Sequence, residues 1–220
     1  MATVTITADT NDGTIVKSST TNWEGARDAT SGTGYMGFTT SPLAVRVQKT
    51  VSGRTTTWTI ARTVMQFDVS AIHDLPSEGS LQIYGLTNGT ADMMAMKGVW
   101  IGAFGPNSSS YNSIEGWSSG VNNQSNVTKY SDEITTWTLG GINNIPLKPR
   151  ALADIAGEDY LRVVFAEWDY DVADVEVPVS PPHVLTRSGW TMADSSSNKP
   201  TLKLTTEDVV QNSVFFGANF

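Results

Sequence analysis

The stretch "RTVMQFDVSAIHDLPSEGSLQIYG", residues 62 to 85, contains two runs of residues that are typical of β-strands. The first run ends in Asp-Val-Ser, and the second, from residue 80, alternates apolar and polar side chains. The residues between them include Pro and Gly, which favour turns between strands. This stretch therefore predicts two strands at the centre of a β-structure.

The same alternation recurs along most of the chain, at a spacing typical of short strands separated by turns. The predicted strands cover residues 2–8, 43–51, 54–62, 63–69, 80–86, 96–104, 133–139, 160–168, 174–179 and 200–206. Ser52-Gly53 is predicted to form a tight hairpin turn, because Gly adopts positive φ easily. This pattern predicts an all-β fold, an antiparallel β-sandwich that is jelly-roll-like.

One short helix is predicted over residues 148–157. Pro149 suits its first turn, and Gly157 is expected to end it in the left-handed conformation. Residues 18–42 and 105–126 are rich in Ser, Thr, Asn and Gly and are predicted to be long surface loops. We expect a single β-sandwich domain over residues 1–206, followed by a C-terminal tail over 207–220.

Composition excludes several classes of partner. Only 16% of the 220 residues are charged and the net charge is −8, which disfavours binding to nucleic acid. Cysteine is absent, so no disulfide stabilises the fold. The first ten residues lack the basic and apolar regions of a signal peptide, and no apolar stretch is long enough to cross a membrane. We therefore expect a protein made in a cytoplasm, with neither nucleic acid nor membrane as a partner.

Side chains with catalytic potential are few. His73 and His183 have no nucleophile in a recognisable motif, so we expect no enzymatic activity, no catalytic residues and no cofactor. Glu167, Asp169 and Asp171 would share one face of an extended strand. The first interpretation of this run is a solvated acidic edge without a metal, and the alternatives are a calcium site or a glycosidase carboxyl pair.

The tryptophans fall into two groups. Four lie in strand-like runs and are predicted to fill the core: Trp58, Trp100, Trp137 and Trp168. Trp23, Trp117 and Trp190 lie in loop-like surroundings and are the candidates for contacts with a ligand or another protein.

The C-terminal tail follows the last predicted strand and ends in apolar residues. Its apolar side chains are those of Val209, Val210, Val214, Phe215, Phe216 and Phe220. Exposed apolar residues at a chain end are a liability in water, so these either fold back on the domain or bind a partner protein, and binding a partner is the role we assign to them.

Several motifs occur in the order found in one known family. "ARTVMQFDVSAI" followed by "GSLQIYG", with "ITADTNDGTIV" before them and "EITTW" and "KPTLKLTT" after them, resembles the DNRLRE-type β-sandwich domain. The chain departs from that family at "PLKPRALADIAG", where the helix is predicted instead of a further strand. The resemblance implies a jelly-roll-like binding or structural module, as found in phage structural proteins and in carbohydrate-active proteins.

Two functions follow as expectations. The first is a structural virion protein of a tailed bacteriophage, located in the virion as a capsid decoration or cement protein, or as a head or tail appendage. Its partners would be other virion proteins, and we expect it to form a homo-oligomer. The alternative is a carbohydrate-binding module that recognises a polysaccharide.

Overall fold

The computed structural model describes residues 2–9, 12–37, 43–87, 92–100, 107–178, 184–192 and 198–207. Strands dominate this part of the chain. They are β1 (Ala2–Thr7), β2 (Gly13–Ser19), β3 (Gly34–Gly37), β4 (Leu43–Ser52), β5 (Thr55–Asp68), β6 (Glu78–Thr87), β7 (Met93–Lys97), β8 (Ile142–Pro146), β9 (Tyr160–Glu167), β10 (Val184–Met192) and β11 (Thr201–Thr206). Two short α-helices accompany them, α1 (Trp23–Arg27) and α2 (Pro149–Gly157).

The strands form two antiparallel sheets. The first sheet has the order β1-β11-β6-β8. In the second sheet β5 is central, with β2 and then β3 on one side. Along its other side, β5 pairs with β4 over its first half and with β9 over its second half. β9 in turn pairs with β7. β10 pairs with β4 and also reaches the end of β6, so it joins the two sheets. The predicted all-β sandwich is confirmed, while the jelly-roll order stays a prediction.

The two strands of the opening stretch, β5 and β6, lie in different sheets. Their inward side chains meet in the first core, which fills the space between the sheets and includes Met65, Phe67, Leu81 and Ile83. The residues between the strands therefore carry the chain across the sandwich rather than around a hairpin. This explains why both runs are strongly apolar on one face.

The part of the second sheet formed by β5, β7 and β9 is buried on both of its faces. Every residue from Ile60 to Phe67 in β5 is buried, including the polar ones. The face opposite the first core belongs to a second core, which includes Ile60, Val64, Met96 and Trp168. This second core is covered by α1, by residues 107–127 and by the chain after β9. The protein is therefore a sandwich with a third, largely irregular layer.

The predicted hairpin forms between β4 and β5, but its turn residues are Gly53 and Arg54, because Ser52 and Thr55 are already paired. Gly53 has φ +60°. An alanine Cβ there would meet no atom within 4 Å, so only backbone conformation opposes a side chain. We expect Gly53→Ala to lower the free energy of unfolding by about 1–2 kcal/mol, measured by urea denaturation.

Gly157→Ala is the matched control, because a Cβ at Gly157 also meets no atom within 4 Å and its φ is not positive. We expect this control to stabilise the protein slightly, by about 0.4–1 kcal/mol. Equal effects of the two substitutions would contradict the role of the turn. The ordinary φ of Gly157 also corrects the prediction that this residue ends α2 in the left-handed conformation.

The helix α2 itself is confirmed, with Pro149 in its first turn and Lys148 as its N-cap. Its buried side chains Ala151, Leu152 and Ile155 close one end of the first core. No helix in the described ranges combines the length and the apolar character that a membrane crossing requires.

Several predicted strand boundaries are wrong. Residues 54–62 and 63–69 form the single strand β5, and only Ile134 and Leu139 of the predicted strand 133–139 make isolated bridges. Residues 174–178 contain no strand. In contrast, β8 was not predicted, because its sequence Ile-Asn-Asn-Ile-Pro has low β-propensity and its pairing with β6 decides its conformation.

Candidate functional site

A buried ion pair lies at the centre of the outer face of the second sheet. Arg62, on β5, donates from Nε and Nη2 to the two carboxylate oxygens of Asp171, both at 2.7 Å. Both side chains are fully buried. Arg62 also donates to the carbonyl of Tyr111 and to the side chain of Asn112. Burial alone would lower the pKa of Arg62, but Asp171 and Tyr111 raise it overall, so this guanidinium stays charged.

A second arginine, Arg27 at the end of α1, extends this ionic network and is also fully buried. It donates to the backbone carbonyls of Asp171 at 2.7 Å and Val121 at 2.8 Å, and to the carboxylate of Asp28 at 2.7 Å. The two guanidinium groups thus donate hydrogen bonds to backbone carbonyls that are not paired within a sheet. The network therefore fastens the irregular third layer to the sheet.

Aromatic rings complete the network. The guanidinium carbon of Arg62 lies 4.2 Å from the ring centres of both Tyr111 and Trp117, and that of Arg27 lies 4.6 Å from Trp117. The hydroxyl of Tyr111 donates to the carbonyl of Ala26. Trp117, predicted to contact a ligand, is thus half-buried and engaged by two cations of its own chain.

Trp23 also belongs to this region, which corrects its predicted place in a surface loop. It is only 4% exposed, lies in α1 and packs in the second core. Its indole N–H donates to the carboxylate of Asp174 at 3.1 Å. Residues 18–42 therefore contain a helix and a strand, β3, rather than one long loop. Capping of α1 by Asn22 helps fix this short helix.

The acidic run after β9 does not continue as a strand. Trp168–Val172 forms a π-helical turn, so Glu167, Asp169 and Asp171 do not share one face. Glu167 accepts hydrogen bonds from the backbone N–H groups of Tyr170 and Asp171 and caps this turn. Burial raises the pKa of Glu167 to about 8, although those two hydrogen bonds oppose the shift. Asp169 is exposed.

Three carboxylates that are distant in sequence come together beside this turn. Oxygen atoms of Asp92, Glu133 and Asp169 lie within 4.8 Å of one another. Burial and the negative charges of Asp92 and Asp169 raise the pKa of Glu133, while Lys129 opposes the shift. Carboxylate oxygens are ligands that calcium prefers, so among the described residues these three could hold such a cation. Only Asp169 belonged to the run singled out in the sequence.

A second ionic cluster ties β7 to α2. Lys97 Nζ lies 2.7 Å from a carboxylate oxygen of Glu158 and 3.1 Å from one of Asp154. The hydroxyl of Tyr130 donates to the same Asp154 oxygen at 2.7 Å, and burial raises the pKa of Tyr130. These groups are bound to one another, which makes the cluster a structural contact.

The exposed apolar side chains at one end of the first sheet form an edge patch, defined by Leu86, Leu139 and Ile142. Their exposed fractions are 40%, 57% and 64%. All three lie near the end of β6, because Ile142 pairs with Tyr84 and Leu139 bridges to Gly85. This combination of exposure and proximity was not visible in the sequence.

The structure describes the remaining predicted site residues only in part. Trp190 lies on β10, and the structure describes only its backbone. The tail residues Val209, Val210, Val214, Phe215, Phe216 and Phe220 and the side chain of His183 lie outside the described residues. His73 is exposed in the connection between β5 and β6.

Arg62 and Asp171 were not predicted as a pair. One signal was available, because Arg62 stands at an alternate position between Ile60 and Val64 and thus on an apolar strand face. A charge at such a position requires a buried partner.

No protein-family model matches the chain, and no curated protein matches it in sequence. The resemblance to the DNRLRE-type domain therefore stays a prediction from short motifs.

Proposed function

We propose that this protein is a structural component of a tailed bacteriophage particle and acts as a capsid decoration protein that binds neighbouring virion proteins. The observation that carries this proposal is the edge patch. Its three apolar side chains stand in water at one end of a sheet whose backbone is fixed by its pairing. Surface apolar clusters of this kind are suited to protein contacts.

The energetics of the edge patch favour a protein partner. Fully burying one Leu or Ile side chain contributes about 1.5–3 kcal/mol, so a few such anchors can supply much of an interface. The ionic network behind the second sheet supports the same role, because it holds the irregular layer against the sheet. A particle protein benefits from such a platform, since a surface that is already ordered loses less entropy on binding.

A non-enzymatic role is part of this proposal. Of the three carboxyls weighed for a glycosidase, Asp171 is paired with Arg62 and Glu167 caps a turn, so Asp169 has lost both expected partners. The polysaccharide-binding alternative has weaker support, because Trp23 is buried and Trp117 lies against two guanidinium groups. Of the three candidate tryptophans, Trp190 is the one left to support the polysaccharide-binding alternative.

The test is a substitution in the edge patch. We expect Ile142→Asp to weaken binding to phage particles that lack this protein by about tenfold or more, because a buried anchor worth over 1.4 kcal/mol is replaced by a charge. Leu75→Asp is the matched control, since Leu75 is 65% exposed and lies outside the patch. Co-sedimentation with particles measures both variants.

Equal binding by the Ile142 variant and the wild-type protein would overturn the docking role of the patch. Tight binding of the isolated protein to a polysaccharide, lost in Trp190→Ala, would favour the carbohydrate-binding module instead. The tail residues from Val209 to Phe220 are a second predicted contact, and removing residues 209–220 is expected to weaken particle binding further.

A further inference from the structure

A groove lies beside the last strand, on the outer face of the first sheet. Its volume is about 550 Å³, within the range of about 300–1,000 Å³ typical of ligand pockets. One wall comes from the start of β6 and the end of β11, and the other from the end of β8 and the start of α2. The residues that matter here are Glu78, Pro146, Leu147, Pro149, Leu152 and Thr205.

One wall of the groove is apolar. Leu147, Leu152 and two prolines supply the wall. At Gly79 an added Cβ would lie 2.8 Å from Leu152 and 3.2 Å from Leu147, so the glycine lets both leucines pack against β6. The lining as a whole is mixed, because these apolar side chains stand beside polar ones, those of Ser77, Glu78, Ser80, Asn144, Lys203 and Thr205.

The described chain ends at this groove. Thr205 lines it, β11 ends at Thr206, and residues 208–220 continue from there. Those residues can span roughly 40 Å when extended, at about 3.3–3.6 Å each, so the groove is within their reach. They carry three phenylalanines and three valines, whose exposure to water is unfavourable by about 1.5–3 kcal/mol for each large side chain.

We propose that, in the free protein, the groove binds the C-terminal segment of the same chain, residues 208–220, and shelters its apolar side chains. A segment tethered at the groove's edge has a millimolar effective concentration there, which favours its own groove over that of a second copy. This inference concerns the free chain and does not depend on the proposed function.

Engineered disulfides test this proposal without interference, because the chain has no cysteine. Thr205 pairs with Glu78 on its groove side and with Thr3 on its other side. Glu78→Cys and Thr3→Cys are therefore matched positions on either side of the strand from which the tail departs. Each is combined with Phe216→Cys and oxidised with glutathione at low protein concentration.

We expect the intramolecular disulfide to form at least about tenfold faster with Glu78→Cys than with Thr3→Cys, because a bound tail is held on the groove side. Equal rates at the two positions would overturn the proposal. Disulfide-linked dimers as the main product of the Glu78 pair would also overturn it, since they would place the tail in the groove of a second copy.

A second measurement uses the groove wall. Ser80 lines the groove, whereas Gln82, two residues along the same strand face, does not. We expect Ser80→Trp to fill the groove and to speed chymotrypsin cleavage after Phe215 or Phe216 about tenfold, since a displaced segment is cleaved freely. Gln82→Trp should leave the cleavage rate unchanged. Equal cleavage of both variants would count against the groove as the binding site.

Discussion

Replacing Asp171 with Asn is expected to lower the free energy of unfolding by about 3–5 kcal/mol, because it leaves the Arg62 guanidinium buried without its countercharge. The two oxygens of Asp171 take hydrogen bonds from two donors of Arg62, and neither side chain reaches water. An asparagine has nearly the same shape but supplies only one acceptor. Urea denaturation at pH 7 measures this loss.

The matched control for this loss is the same substitution at an exposed ion pair. Asp132 bonds to Lys148 at 2.5 Å, but its side chain is 92% exposed. We expect Asp132→Asn to change stability by less than about 1 kcal/mol, since surface pairs contribute little. Similar losses at Asp171 and Asp132 would contradict the central role of the buried pair.

A double substitution separates the pair's interaction from the cost of leaving one charge alone. We expect Arg62→Leu combined with Asp171→Leu to destabilise by less than the sum of the two single substitutions, because neither charge is then buried unpaired. Additive effects would mean that the two residues act independently.

The second large effect concerns Glu167 and pH. Burial raises the pKa of this carboxyl from its ordinary value of 4.5 to about 8, so the folded protein favours the neutral acid. The stability that Glu167 contributes is fully present below about pH 4.5 and is lost as the pH rises through about 8. We therefore expect the wild-type protein to lose stability relative to Glu167→Gln between pH 5 and pH 9.

The expected difference exceeds about 1.4 kcal/mol, the equivalent of one pKa unit. Gln keeps an acceptor for the backbone N–H groups of Tyr170 and Asp171, which Glu167→Ala would lose. Glu167→Ala should therefore destabilise the protein already at pH 5. Thermal unfolding of the three proteins across this pH range gives the answer, and parallel pH profiles of the wild-type and Gln proteins would refute the raised pKa.

Both predictions concern the same group of buried polar side chains. Arg62, Asp171 and Glu167 lie where the π-helical turn meets the outer face of the second sheet. Buried groups of this kind are costly unless paired, and once paired they specify one arrangement of the chain. The long irregular layer over residues 107–127 is thus positioned by polar contacts in addition to its apolar packing.

Much of the fold was predictable from local pattern. Alternating runs predicted β1, β4, β5, β6, β9 and β11, and Pro149 marked the start of α2. Prediction failed where the local signal was weak, as for β8, or where it misled, as at residues 133–139. In both places contacts with other strands outweighed the propensity of the segment itself.

The candidate site was less predictable than the fold. Trp117 lies outside the strands, as expected, but its partners Arg27 and Arg62 come from α1 and β5. Trp23 was expected at the surface because a helix of five residues leaves almost no periodic signal. The acidic trio and the edge patch unite residues from segments far apart in the chain.

The sequence by itself determined the class of the fold, because strand periodicity, turn residues and charge are properties of neighbouring residues. Only the tertiary structure decided that β5 is buried on both faces, that Arg62 meets Asp171 and that the last described strand ends beside a groove with one apolar wall. The physical reason is that these features depend on which distant segments pack together. Such pairings reflect the summed burial and hydrogen bonding of the whole chain, which no single stretch encodes.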